Sequence, residues 1–234
     1  VLEPALRSAH GHTVRSGGDV VDVFPEPSGR PSRYRARMNR PNGSTAAVGG
    51  EQSKARLYLL QGAPAVGKLT LARELERRTG AIVVDNHLVN NAVFIPIGLG
   101  RGPEVTLEQT DALRDRVREV VHEAAVAAPA SLSHVFTFWL PDSPENAGHA
   151  ERLRALAERR GAQFVPVWLT ASREALLARV GAPGRAERSK LVDADILSEL
   201  LERPQLPAPP DAVTLDLSEI TPEQAVDQLL AALG

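Results

Sequence analysis

The chain has 234 residues, 43% of them hydrophobic, and a formal net charge of −2, enough for one sizeable core, or one domain with an extra arm. It contains no cysteine, which excludes disulfides, thiolate zinc sites and cysteine nucleophiles. No apolar run approaches the roughly 18 residues that cross a bilayer, so a cytoplasmic protein without a membrane partner is expected.

Residues 1–54 are rich in Gly, Pro, Ser and Arg, and show no sustained period of 2 or 3.6. The stretch GRPSRYRARMNRPNGST carries five arginines and no acid. Such a composition buries too little apolar surface to offset its ordering entropy, and a disordered leader is predicted. The other reading is a basic arm that touches nucleic acid or another anionic surface. Residue 1 is Val and the only methionine is Met38, so part of this leader is expected to lie outside the natural protein.

From residue 55 to 234 the pattern becomes regular. ARLYLL reads as a buried strand that ends in a glycine-rich turn, and LTLARELERRTG as a helix stopped by Gly80. AIVVD is a second strand. IPIGLGRGPEV is a long loop of the kind that binds substrates. TLEQTDALRDRVREVVHEAAVAA is an amphipathic helix with Thr106 as its cap. SLSHVFTFWL is a third strand, SPENAGHAERLRALAERRG a helix and AQFVPVWL a fourth strand. SREALLARV and VDADILSELLER are helices, AVTLDL a fifth strand, and TPEQAVDQLLAAL a closing helix with Pro222 in its first turn. Strands alternating with helices predict an α/β fold: a five-stranded parallel sheet with helices on both faces.

The turn after the first strand reads GAPAVGKLT. Gly62, Gly67 and Lys68 match the phosphate-binding pattern G-x-x-x-x-G-K-[ST], in the required context of an upstream strand and a downstream helix. Lysine occurs only at Lys54, Lys68 and Lys190 in an arginine-rich chain, which makes its presence at 68 more telling. The loop Gly62, Ala63, Pro64, Ala65, Val66, Gly67, Lys68, Leu69 and Thr70 is therefore the candidate nucleotide site. Its backbone N–H groups would converge on the phosphates, and Lys68 would reach the β- and γ-phosphates. The usual serine or threonine is replaced by Leu69, with the hydroxyl one residue later at Thr70. No N-K-x-D guanine-reading motif is found and no strand ends in an Asp-Glu pair, which argues against a GTPase and a mechanical ATPase.

The loop resembles the G-x-P-G-x-G-K-G-T form of nucleoside monophosphate kinases, from which it departs at Ala65 and Leu69. With VVDNHLVNNAVF, VFTFWLPD and EALLARVGAPGRAERSKLVDADIL, the chain resembles the shikimate-kinase-like and nucleotide-kinase-like P-loop phosphotransferases over about residues 56–234. It most resembles a bacterial group with G-x-P-A-V-G-K-x-T, an N-H pair after strand two and an R-x-x-x-x-x-R lid. The resemblance implies the three-layer P-loop NTPase fold, with ATP and Mg²⁺ as cofactors and a small-molecule acceptor as partner. It favours Thr70 for phosphate or magnesium contact. It implies that Asp85, at the carboxyl end of the second strand, holds the acceptor hydroxyl, with Asn86 and His87 beside it. The residue-level alternative is that Asp85 caps the helix HLVNNAVF. The resemblance also makes Arg179 and Arg185 lid arginines that act in catalysis, with Arg188 nearby and Gly181 and Gly184 as pivots. A solvated basic turn is the plainer reading.

Asp142, after the third strand, is expected to bind a magnesium water or to cap the helix that begins after Ser143. Arg114 is the candidate for a substrate anion, against solvation on its helix face.

Together these readings predict transfer of the γ-phosphoryl of ATP to a hydroxyl or phosphate of a small molecule, by a monomer or homodimer. Two rivals remain: an NTP-dependent switch without an acceptor, and a kinase of nucleic-acid ends that uses the basic leader. The slight acidity of residues 55–234 argues against the second. The acceptor, and ATP against GTP, stay open.

Overall fold

The computed structural model describes residues 54–100, 104–139, 141–143, 146–180 and 193–234. Residues 1–53 of the expected leader, Arg185 and Arg188 therefore lie outside the described residues. The strands are β1 Arg56–Gly62, β2 Ile82–Asp85, β3 His134–Phe138, β4 Gln163–Thr170 and β5 Val213–Asp216. The helices are α1 Lys68–Thr79, α2 Asn86–Ile97, α3 Asp111–Ala127, α4 His149–Arg159, α5 Arg173–Val180, α6 Ala194–Leu201 and α7 Pro222–Ala232.

The five strands form one sheet in the order β2-β3-β1-β4-β5, and every pairing is parallel. This is the expected α/β architecture. Parallel strands need crossovers, and the crossovers cover both faces, so the central strands are buried along nearly their whole length rather than alternating between core and solvent. Side chains of β1 divide between two cores by parity. Tyr58 and Leu60 join Leu71 and Leu75 of α1, Leu176 of α5, Leu197 of α6 and Leu229 of α7. Leu57 and Leu59 join Phe136 with Leu153 and Leu156 of α4 on the other face.

The strand order also fixes where a ligand can enter. From β1 the chain crosses to β2 on one side, whereas from β3 it crosses to β4 on the other. Connections that leave neighbouring strands in opposite directions open a crevice between their carboxyl ends.

Three local readings need correction. The helix expected from Ser143 starts only at His149, because Gly148 holds φ at 70°, a left-handed conformation that interrupts the helix. Before it, the Ser143 carbonyl accepts from the Asn146 and Ala147 amides in a turn. Thr106 caps a short 3₁₀ turn, Glu108–Thr110, rather than α3 itself. Its hydroxyl accepts from the Gln109 amide at 3.5 Å, and its own amide donates to Gln109 Oε1 at 2.8 Å. The loop expected from Ile95 opens only at Gly98, since α2 continues through Pro96 to Ile97.

Two histidines are locked into the core. His134 is 4% and His149 2% exposed, the latter with its ring 3.9 Å from that of Phe138. Burial pushes His134 down from 6.5 to about 4 and His149 to about 3, with nearby arginines adding to both shifts. A group whose folded pKa is depressed in this way binds fewer protons folded than unfolded. The stability it contributes is complete above pH 6.5 and is lost as the pH falls towards about 4 or about 3. Urea unfolding should therefore show about 1–2 kcal/mol less stability per histidine at about pH 5 than at about pH 7. His149→Leu should flatten part of that slope; an unchanged slope in the variant would refute the assignment.

Candidate functional site

The turn between β1 and α1 is set by sterics. A Cβ on Gly62 would sit 2.5 Å from the Leu169 carbonyl oxygen of β4, so only glycine lets the strand end pass that backbone. Gly67 takes φ 113° as the N-cap of α1, a conformation closed to other residues. Ala65 holds φ 66°, the only positive φ at a non-glycine among the described residues, at the position where the resembled kinases carry glycine.

The N-terminus of α1 has no side-chain cap and no acidic residue in its first turn. Its leading N–H groups have no partners within the helix, and they carry the positive end of the helix dipole. Lys68 Nζ donates to the Gly62 and Ala63 carbonyls at 2.7 and 2.8 Å, which holds the ammonium at the loop. A strand end, a bare helix terminus and a lysine together form an anion site.

Two cavities meet at this loop. The first, about 260 Å³, is lined by Lys68, Leu69 and Thr70 together with Asp85, Asn86, His87, Asn90, Thr137 and Trp139. It lies where the strand order predicts, between the ends of β1 and β3. The second, about 240 Å³, is walled mainly by apolar groups: Val66, Leu71, Leu217, Ile220, Pro222 and Ala225. Ala65, Gly67 and Thr70 border both.

Asp85 serves two purposes at once. It is the N-cap of α2, accepting from the His87 amide at 3.5 Å. It also borders the first cavity, where Thr137 Oγ1 donates to its Oδ1 at 2.9 Å and His87 Nδ1 lies 3.3 Å from the same oxygen. Thr137 in turn accepts from the Asn86 amide at 3.2 Å. The two readings weighed from sequence are thus compatible in one residue.

The structure brings Lys68, Thr70, Asp85, Asn86 and His87 together with Pro64, Ala65, Gly67 and Leu69 of the loop, but not Arg179, Arg114 or Asp142. Arg179 borders the second cavity rather than the first. Its guanidinium donates to the carbonyls of Val66, Leu217 and Ser218 at 3.2, 2.5 and 3.1 Å. It thereby ties the loop to the segment after β5, instead of facing Asp85. Arg114 is held by the start of its own helix and by α2: it pairs with Asp111, donates to Thr110 Oγ1 at 3.0 Å and lies over the Phe94 ring of α2. Asp142 is exposed, lines neither cavity, and cannot cap α4, which starts at His149. Its amide is held by the Pro204 carbonyl.

Asn90, Thr137 and Trp139 were missed from sequence. Asn90 lies one helical turn beyond Asn86, and Thr137 is the register partner of Asp85. The first relation is visible in spacing, whereas the second needs the sheet. Among the described residues no group of three or more His, Cys, Asp or Glu could hold a metal. Magnesium bound largely through phosphates needs only one or two protein oxygens, and Thr70 and Asp85 border one cavity.

A family model described as an AAA domain matches residues 57–207. No curated protein matches the sequence. Among solved structures, a sugar kinase from Janibacter sp. HTCC2649 is 20% identical with a TM-score of 0.50, covering 76% of this chain and 94% of that one. A gluconokinase from Sinorhizobium meliloti 1021 is 13% identical with a TM-score of 0.51, covering 78% and 93%. An APS kinase from Mycobacterium tuberculosis, in complex with AMPPNP and APS, is 16% identical with a TM-score of 0.52, covering 77% and 98%. At these identities the likeness is one of fold.

Two substitutions in the loop should act in opposite directions. Gly62→Ala overpacks backbone against backbone and should cost about 1–3 kcal/mol. Ala65→Gly removes a left-handed cost of about 1–2 kcal/mol and adds about 0.4–1 kcal/mol of unfolded-state entropy, leaving a net gain of about 0.5–1 kcal/mol. Denaturant midpoints measure both; a destabilised Ala65→Gly would show that the loop does not hold this conformation.

Proposed function

The chain belongs to the AAA domain family, matched over residues 57–207, and we propose that it is an ATP-dependent small-molecule phosphotransferase. The observation that carries this reading is the meeting, in one cavity, of an uncapped helix N-terminus, Lys68, and a carboxylate held in place by Thr137.

In this reading the base of ATP occupies the apolar second cavity, the phosphates lie over the loop, and the acceptor enters the first cavity. Phosphoryl transfer depends on positioning and charge neutralisation more than on strong base chemistry. Lys68 and the α1 amides neutralise the phosphates, Thr70 supplies a hydroxyl to a phosphate or to Mg²⁺, and Asp85 orients the acceptor. Mg²⁺, when bound, draws negative charge off the phosphate oxygens. The acceptor oxygen bonds to the γ-phosphorus as the bond to the bridging oxygen breaks. ADP leaves, and the hydroxyl proton passes to Asp85 and then to water. Arg179 holds the loop against the segment after β5, and so shapes the nucleotide side of the site.

A small-molecule acceptor and a cytoplasmic location complete the proposal. Among the described residues no helix is long and apolar enough to cross a membrane. We take the protein to act as a monomer or homodimer.

The test is ATP consumption with Mg²⁺ against a panel of hydroxylated compounds and nucleotides. Acceptor-stimulated turnover is expected, and Lys68→Ala should abolish it while the circular dichroism stays native. Asp85→Asn separates the two roles of that residue. Asparagine caps as well as aspartate does, so stability should change by less than about 0.5 kcal/mol, while turnover falls about 100-fold or more. Tight nucleotide binding that no compound in the panel turns into turnover would favour the switch instead.

A further inference from the structure

Much of the lining of the first cavity is apolar, and it is supplied by four separate segments. Pro64 comes from the phosphate loop, Leu69 from the first turn of α1, Leu200 from the last turn of α6, and Trp139 directly follows β3. All four are half-buried rather than locked in the core, so carbon is presented to the space beside Lys68 and Asp85. Leu69 stands where the phosphate-loop pattern carries serine or threonine, which turns that position from a hydroxyl into a hydrocarbon.

Trp139 is the largest of the four. Its Nε1 is buried while the residue keeps part of its surface exposed, so the side chain offers ring carbon rather than its N–H. The sheet fixes its place relative to Asp85. Thr137, the register partner of Asp85, donates to Oδ1 at 2.9 Å, and Trp139 follows Thr137 by two residues. Phe138 between them belongs to β3, so their α-carbons lie about 6–7 Å apart, the span of two extended residues. Both line the cavity, as residues two apart on a strand share a face. The indole therefore stands about one six-membered ring away from the threonine that holds the carboxylate.

Resting on the phosphotransferase reading for the hydroxyl at Asp85, we propose that Trp139 determines acceptor specificity and that the acceptor is a ring-bearing alcohol. One hydroxyl meets Asp85, and the ring lays an apolar face on the indole. That face is the C–H side of a sugar or cyclic polyol, or the π side of a nucleoside base. Leu69 and Leu200 extend the apolar surface around it. An indole is flat and rigid, so it gains most from a flat partner at little cost in entropy. An open-chain polyol has no such face and must be immobilised bond by bond.

The test is calorimetry and tryptophan emission on the full chain, saturated with Mg²⁺ and a non-hydrolysable ATP analogue. The chain has two tryptophans, and Trp168, on β4, lines neither cavity. Trp168→Phe therefore leaves Trp139 as the sole indole emitter. The probes are glucose and myo-inositol against sorbitol, and uridine against ribitol. At least one ring-bearing probe should bind about tenfold more tightly than its open-chain counterpart and shift the Trp139 emission. Trp139→Ala should weaken that binding about tenfold with native circular dichroism, while Trp139→Phe keeps it within about threefold. If the alanine variant loses its native spectrum, Trp139→Leu keeps apolar volume without a flat face and should show the same loss. Binding of uridine alone identifies a π face, and binding of glucose or inositol a C–H face; both support the proposal. Equal binding of cyclic and open-chain probes, an emission that no ring-bearing probe shifts, or full ring affinity in a natively folded Trp139→Ala overturns it. Turnover with ATP is read separately on the same probes. Ring-selective binding at Trp139 without transfer leaves the stacking platform standing and removes the phosphotransferase. Transfer to sorbitol or ribitol as efficient as to the rings does the reverse.

Discussion

The close pass of Gly62 under the Leu169 carbonyl is the constraint on which the site depends. With a Cβ only 2.5 Å from that oxygen, no other residue lets β1 end there and turn directly into α1. β1 lies between β3 and β4, so the turn is anchored on both sides by the sheet. The bare N-terminus of α1 therefore opens at the crevice that the strand order creates. Three other helices carry side-chain caps, α2 by Asp85, α6 by Asp193 and α7 by a Thr221–Gln224 capping box, whereas α3 and α4, like α1, have none. A missing cap forgoes about 1 kcal/mol. At α1 that loss leaves backbone donors available for an anion, which also meets the helix dipole and Lys68.

Asp85 shows how one residue can cap a helix and line the candidate site together. Its place at the end of β2 puts it at the crevice, and its role as the cap of α2 fixes its backbone. The remaining freedom of the carboxylate is removed by Thr137, its register partner on β3. A carboxylate oriented by a cap and a neighbouring strand is already positioned before any ligand arrives, and positioning is most of what phosphoryl transfer asks of the protein.

The phosphate loop divides the site into two environments of different character. On one side lie apolar groups and the main-chain carbonyls gathered by Arg179; on the other lie a carboxylate, amides, a threonine and an indole. In the proposed reading, that asymmetry separates a nucleotide side from an acceptor side. Arg179 is a structural tie in this arrangement, because its donors are taken up by carbonyls of two segments that would otherwise be joined only by packing.

The sequence by itself determined the order and kind of the elements, since apolar runs and helical spacing are local properties of the chain. It also determined the phosphate loop, because the glycines and Lys68 act through backbone conformation within nine residues. Asp85 was legible too, as the last residue of a strand whose carboxyl end must face the crevice. Where Arg114 and Asp142 sit was only partly legible: the Asp111–Arg114 pair is a local spacing, whereas Phe94 on α2 and the Pro204 carbonyl that holds the Asp142 amide are set by the tertiary structure. Thr137 and Trp139 became site residues only when the parallel register set β3 beside β2 and β1. That register joins segments about fifty residues apart, and it is decided by the packing of two cores against one sheet, which no local pattern records.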